Sequence, residues 1–492
     1  MNFKGKRMSI HAILLLLVIL AAVFFRFYNT PARYGFDYDP VRDALIVDYA
    51  AKTFQLPLVG APSGIGPFTF GPWYYYQLVL FKIIFPVAYS PWIYVGTLSV
   101  LTVFIMYKIG ALLNGKNLGL ILALLTALSP AETGQIRALS NPTIVPFYTT
   151  LTIWIFLKFM KKDSPSWMVV LWGLVLGIGM NNHYQVLGLI PLPIIYFIYK
   201  REKRWTKVLS FIIGLFISFL PLLVFNFFHK WSTVTGLIYY VTKGSAGVYI
   251  PNRWLSYVVD FWPTFLAYVL GLPQNQGLYI GLLMGSVILY LFLKRKISTS
   301  YIFLLITFIL NFFVLRFFPG QRECYYLLYL HPFIFMFFGL VVWYVLRQKK
   351  RIIRVLILAL ALIVLAGMTQ NSINRLATAK DQQEFKKEAS IIMDNYPNKK
   401  FALYECADSQ KNKIRGIAFF LNNEDKLSEN GVKIVFPTKK CTLSEKNESP
   451  IKYLKNIKAI DVTHLSDSQL TKYGLQRVTP GTVYNQLTRQ IR

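Results

Sequence analysis

Apolar runs separated by short polar breaks recur over the first three quarters of the chain. They lie near 8–26, 91–113, 117–136, 141–160, 167–182, 184–199, 207–228, 277–293, 299–317, 330–346 and 352–370. A helix of roughly 18–20 such residues is long enough to cross the hydrocarbon core of a bilayer. In lipid only helices and closed barrels satisfy their own backbone groups. The pattern predicts a polytopic α-helical membrane protein with about 11–13 transmembrane helices. Two longer stretches, 27–90 and 229–276, are expected on the outer side. The run GPWYYYQLVLFKIIF at 71–85 is also apolar, but counting it as a span would invert every later loop. It is expected to be an interfacial or re-entrant helix, with Trp73 and Tyr74–Tyr76 at headgroup depth.

From about residue 371 the periodicity changes. The strand-like runs FALYEC, VKIVFP and IKAIDV alternate with the helix-like DQQEFKKEASIIMDNY and IRGIAFFLN. Residues 371–492 are therefore expected to form a small extracytoplasmic α/β domain behind a membrane domain at 1–370. Cys406 and Cys441 fall in this tail, where they are either a disulfide or two separate thiols.

Charge decides the sidedness. The chain has 492 residues and a formal net charge of +31, which invites a nucleic-acid reading. The cations are instead clustered between apolar runs: Lys158, Lys161 and Lys162; Lys200, Arg201, Lys203 and Arg204; Lys294, Arg295 and Lys296; Arg347, Lys349, Lys350 and Arg351. That is the distribution of cytoplasmic loops facing anionic membrane lipid. No basic–aromatic recognition motif accompanies it, so nucleic acid is not expected as a partner. Met1–Arg7 followed by an apolar run has the outline of a signal peptide, but no small-residue cleavage site closes it. A retained first helix with a cytoplasmic N-terminus is expected.

The acids then stand out. Residues 1–370 hold nine Asp and Glu, and four of them, Asp37, Asp39, Asp43 and Asp48, fall within twelve residues of the first outer stretch. Asp39, Arg42 and Asp43 form an Asp-x-x-Arg-Asp pattern. Asp39 could sit at or next to a helix N-cap before Pro40, and Asp43 could pair with Arg42 or Arg33. Alternatively, one carboxylate is a general base while another orients substrate or a cation. Further candidates recur at outer helix ends. The Gly/Pro-rich loop leading into GPWYYY could bring backbone N–H groups to a phosphate or sugar, or be a plain connector. Arg137 precedes SNPT, in which Asn141-Pro142 is either a helix start or part of a site. NNHYQ groups Asn181, Asn182, His183 and Gln185. RECYYLLYLHP places Arg322, Tyr325 and Tyr326 at the outer mouth, where Arg322 either grips a lipid-linked phosphate or snorkels to headgroups.

Together these positions describe an outward-facing cavity with carboxylates above and cations nearby. The chain resembles, over about residues 8–370, the bacterial membrane glycosyltransferases of the GT-C fold, of the protein O-mannosyltransferase and aminoarabinose transferase type. The resemblance rests on FDYDPVRDAL, GPWYYYQL, SNPT and RECYYLLYLHP. It implies inverting transfer of a sugar from a polyprenyl-phosphate carrier to a protein, lipid or polysaccharide acceptor at the outer face of a bacterial plasma membrane. It implies an acid of the first loop as the base, aligned best with Asp39 and next with Asp37, and a cation on the donor phosphate, for which Arg322 and Arg137 are candidates. Arg42, Asp43, Asn141, His183, Gln185, Tyr325 and Tyr326 complete the expected substrate contacts. Members of this type act without a bound metal, although the Asp37/Asp39 spacing would permit a divalent cation. Two departures bear on the sugar. Gly71 stands where the aminoarabinose transferases carry Lys, and Asn141 stands where they carry Asp. A lipid-linked saccharide flippase, or a scaffold with an inert cavity, are the readings of other classes.

Overall fold

The computed structural model describes residues 9–162, 165–200, 205–243, 253–318, 322–406, 413–436, 452–453 and 459–489. Helix α1 (Ile10–Phe27) starts where the Ser9 side chain accepts from the Ala12 N–H, and most of its surface is apolar and exposed. α2 (Tyr38–Thr53) and α3 (Trp73–Ile84) fall within the stretch 27–90. α4 (Ser90–Asn114) and α5 (Lys116–Leu128) form a hairpin, and α6 (Pro130–Gln135) follows. α7 (Val145–Lys161), α8 (Ser166–Asn182), α9 (Pro191–Tyr199) and α10 (Trp205–Phe228) come next. α11 (Ser232–Lys243), α12 (Arg253–Ser256) and α13 (Trp262–Leu270) occupy the second long stretch. α14 (Gln276–Leu293), α15 (Thr299–Leu315), α16 (His331–Leu346) and α17 (Arg351–Asn374) complete the bundle. Among the described residues seven helices are long and apolar enough to cross a membrane, and four shorter ones are apolar. They fall at the positions the apolar runs predict.

One expectation needs correction. The run 117–136 is not one helix: it breaks at Ser129–Pro130 between α5 and α6. Pro130 has no N–H to continue the ladder, and Ser129 caps the new start by accepting from Glu132 N–H at 3.5 Å. α3 has twelve residues, about 18 Å of helix against roughly 30 Å of hydrocarbon, so it does not span. Its Tyr74 and Tyr75 are nevertheless 0% exposed. They are enclosed by protein where α3 packs against α2, while Trp73 and Tyr76 are half-buried.

Helices α8 and α10 show how the bundle closes. A Cβ on Gly214 would lie 2.0 Å from the Val170 carbonyl oxygen, and one on Gly173 2.1 Å from that of Phe211. Reciprocal glycines let the two backbones touch, the close approach that membrane helices use where apolar side chains gain nothing over lipid.

After α17 the chain enters the tail. α18 (Lys380–Asn395), β1 (Phe401–Cys406), α19 (Lys413–Asn423), β2 (Val432–Val435), β3 (Lys452–Tyr453), β4 (Ile460–Asp461), α20 (Asp467–Lys472), β5 (Leu475–Val478) and α21 (Pro480–Arg489) follow in order. The described strands make one sheet, β3-β4-β2-β1-β5, in which β1 and β2 are parallel and the other pairs antiparallel. Ala402, Tyr404, Val435 and Ile460 are buried on one side, while Phe401, Leu403 and Ile434 join the α19 residues in the main core. The Cys406–Cys441 pairing lies outside the described residues.

Candidate active site

The acidic segment opens α2. Asp37 is the N-cap with extended backbone, and Asp39 lies in the first turn. Asp37 therefore holds the boundary position considered for Asp39, without a side-chain capping bond. Pro40 is tolerated in this first turn, where backbone N–H groups have no intrahelical acceptor. The helix is buried on almost every face, and the charge it buries is organised in a chain. Tyr75 Oη donates to Asp43 Oδ1 at 2.8 Å. Arg42 Nη2 pairs with the same oxygen at 2.7 Å, and Arg42 Nη1 with Asp39 Oδ1 at 2.6 Å. Asp43 is 0% and Arg42 5% exposed. Both side chains are enclosed by protein, and Arg42 links Asp43 to Asp39. The Asp39 side chain at the end of the chain is 53% exposed.

Burial pushes the Asp43 carboxyl up to about 6, with Arg42 opposing and Asp39 adding to the shift. Partial desolvation, and the charges of Asp39 and Asp381 beside it, raise the Asp37 carboxyl above its ordinary value. Asp48 serves the fold: it pairs with Lys52 at 2.8 Å and Lys82 at 3.5 Å, and accepts from Asn422 Nδ2 at 3.0 Å.

The Gly/Pro-rich loop folds on itself, Gly60 N–H bonding Phe70 O at 2.8 Å and Phe70 N–H bonding Ala61 O at 3.0 Å. It then docks on α8, where Gly71 N–H donates to Asn181 O at 2.9 Å. A Cβ at Gly71 would stand 1.7 Å from Asn181 Oδ1. No side chain fits there, least of all the Lys that the resemblance associates with this place. Asn141 Nδ2 donates to Asn182 O at 2.7 Å, so its amide ties the start of α7 to the end of α8.

Four of the expected contacts do meet. His183, Gln185, Arg322 and Tyr326 line one cavity of about 460 Å³, with Phe68, Phe70, Tyr240 and the apolar face of α15 around them. The His183 ring stacks on Phe70 at 4.5 Å. Gln185 bridges elements, donating to Tyr325 O at 2.9 Å and accepting from Leu328 N–H at 3.0 Å. Tyr325 contributes that carbonyl and packs its ring on Tyr326 at 4.2 Å.

Arg322 donates to Ser256 Oγ and to Arg253 O, both at 3.1 Å, and lies over the Tyr257 ring. Burial and then the charges of Arg253 and Arg316 lower its pKa. Among the described residues no carboxylate pairs with any of these three arginines, and the Nε atoms of Arg253 and Arg316 are buried without a hydrogen-bond partner. Sequence reasoning missed Arg253 and Arg316. The available signal was that both fall in or beside stretches expected on the outer side, away from the basic clusters between the apolar runs.

Arg137 does not join Arg322. Its carbonyl accepts from Gly35 N–H at 2.7 Å, and its side chain lines a separate pocket of about 450 Å³ with Tyr268, Asn371 and Arg375. Among the described residues no group of three or more His, Cys, Asp or Glu is placed to hold a metal.

Residues 71–228 match the family model of dolichyl-phosphate-mannose-protein mannosyltransferase. ArnT from Cupriavidus metallidurans in the apo state superposes with a TM-score of 0.61 at 11% identity, over 92% of this chain and 98% of ArnT. ArnT bound to undecaprenyl phosphate superposes with a TM-score of 0.60 at 10% identity, over 91% and 97%. The Archaeoglobus fulgidus oligosaccharyltransferase complex with Zn and sulfate gives 0.54 at 17% identity, over 78% of this chain and 56% of that one. The chain thus spans little more than half of the archaeal enzyme. No curated protein matches by sequence. The fold is that of the GT-C membrane glycosyltransferases.

Proposed function

We propose that the protein transfers a sugar from a polyprenyl-phosphate carrier to an acceptor at the outer face of the membrane, with inversion at the anomeric carbon. In this reading Asp39 takes the proton of the acceptor hydroxyl or amine as that atom attacks the anomeric carbon. The bond from that carbon to the phosphate oxygen breaks on the opposite face, and the carrier phosphate leaves with the bonding electrons. Arg322, backed by Arg253 and Arg316, receives the charge that develops on the leaving phosphate. The apolar wall of the cavity takes the first isoprene units. ArnT, the neighbour of matching length, binds undecaprenyl phosphate, which supports this choice of carrier. No step needs a metal, and in this reading the tail domain lies on the acceptor's side of the membrane.

The observation that carries the reading is an exposed carboxylate held by a buried arginine, Asp39 with Arg42, in the same bundle as a largely apolar cavity lined by Arg322. The segment Phe70–Tyr75 connects the two: Phe70 lines the cavity, and Tyr75 bonds Asp43, which shares Arg42 with Asp39.

The test is incubation of purified protein with labelled polyprenyl-phosphate hexoses and pentoses and an envelope extract. A labelled product identifies a transferase, and its mass identifies the acceptor. Passage of the intact lipid-linked sugar across a vesicle membrane, without a new product, would favour the flippase instead.

A further inference from the structure

The tail domain grips α2 along one face. At the helix start, Phe36 N–H donates to Asp381 Oδ2 at 2.6 Å, and the Phe36 ring stacks on Phe420 at 5.3 Å and 13°. Midway, Asn422 bonds Asp48. At the end, the Tyr49 ring meets Tyr484 at 4.9 Å. The contact nearest the acids is of another kind. Tyr38, between Asp37 and Asp39 in the chain, has the Arg42 guanidinium 5.5 Å from its ring centroid and the Arg415 guanidinium 5.1 Å from it. Arg415 is 6% exposed and comes from α19 of the tail. Its Nη2 bonds Glu405 Oε1 and Gln486 Oε1, each at 2.9 Å. The charge of Arg415 is therefore already matched by buried Glu405, and the pair is rigidly seated when it meets Tyr38.

Domain docking alone does not ask for this. The Arg415–Glu405 pair lies wholly within the tail, and Arg415 meets the membrane domain at the Tyr38 ring. What the pair adds is direction. One guanidinium of the tail and one of the membrane domain hold the same ring, and the second is the group that holds Asp39. From these contacts we infer that the tail domain is a clamp on the acid-bearing helix, and that Arg415 is a positioning residue acting through Tyr38 and Arg42 on Asp39. The inference rests on Asp39 being the base of the proposed transfer. Among the described residues the Arg322 cavity takes none of its lining from the tail, so the clamp governs turnover and leaves donor affinity alone.

The experiment compares full-length wild type with Arg415→Gln, Tyr38→Leu and Tyr38→Phe. It measures kcat, donor KM and amide hydrogen exchange over residues 36–48. Arg415→Gln and Tyr38→Leu should each lower kcat about 10- to 100-fold, the scale of a misplaced catalytic group. Donor KM should stay put, and exchange at the start of α2 should rise. Tyr38→Phe keeps the ring under both guanidinium groups but loses the hydroxyl that also bonds Arg415, and should fall between wild type and Tyr38→Leu. Tyr38 lies outside the tail, so Tyr38→Leu remains informative if Arg415→Gln unfolds that domain. Wild-type kcat and exchange in Tyr38→Leu would overturn the clamp, as would a rise in donor KM matching the fall in kcat. If wild type itself transfers no sugar, the proposed function fails, and exchange at 36–48 still decides whether the clamp exists.

Discussion

Replacing Arg42 with Met removes the hub of the charge chain at nearly constant volume. Asp43, 0% exposed, is left with Tyr75 as its hydrogen-bond donor. Breaking a buried pair from one side costs about 3–5 kcal/mol when the surviving group stays charged. Asp43 has a cheaper route, because burial already pushes its carboxyl up to about 6. Taking up a proton at pH 7 then costs about one pKa unit, or about 1.4 kcal/mol. A carboxyl raised in the folded state lowers stability as pH climbs from the unfolded value through the folded one, and adds nothing further above it. Without Arg42 the folded value rises further, so the variant keeps losing stability where wild type has levelled off. The difference should be smallest near pH 5, where Asp43 is protonated in both proteins. It should be about 1.4 kcal/mol at pH 7 and grow towards the 3–5 kcal/mol ceiling at higher pH. Denaturant unfolding in mixed micelles at three pH values measures this. A loss independent of pH, or one undiminished when Asp43 is Asn, would refute the buried pairing as the origin of the cost.

Three further outcomes are expected. Arg322→Ala removes a charge-assisted contact of about 1.5–3 kcal/mol, so donor KM should rise about 10- to 150-fold with a smaller change in kcat; steady-state kinetics against donor concentration would show it. Gly71→Ala drives a methyl into Asn181 and should cost about 1–3 kcal/mol by overpacking, read as a lower unfolding midpoint, whereas a neutral result would mean the loop docks elsewhere. Asp381→Asn removes one of the charges that raise Asp37, so the Asp37 carboxyl should titrate at lower pH by NMR while transfer by Asp39 leaves the acid limb of the pH–rate profile unmoved; a limb that follows Asp37 would make Asp37 the base.

The bundle was readable because burial in lipid demands long apolar runs, and each run became a helix. Where the rule failed, tertiary structure had the final word. Leu118–Leu128 and Ala131–Ile136 read as one run because the break at Ser129–Pro130 is hidden among apolar neighbours. Tyr74 and Tyr75 have the composition of interfacial anchors and yet close over Asp43. At the site, His183, Gln185, Arg322 and Tyr326 were brought together by a topological argument: each marks the outer end of a span, and outer ends of packed helices are neighbours. The same argument included Arg137, which the path of α6 directs to another pocket. Arg253, Arg316 and Arg415 carry no local motif. Their roles depend on where distant elements land, which periodicity does not encode, and the division between buried Asp43 and exposed Asp39 depends on which face of α2 meets Tyr75.

The central claim is that Asp39 performs the proton transfer while the arginine cavity holds the donor. The most direct test is single-turnover sugar transfer from saturating polyprenyl-phosphate sugar by wild type and Asp39→Asn, with donor binding measured on the same samples. Loss of a positioned general base should slow transfer about 10²- to 10⁴-fold with donor affinity unchanged. An Asp39→Asn protein that transfers at the wild-type rate would contradict the account.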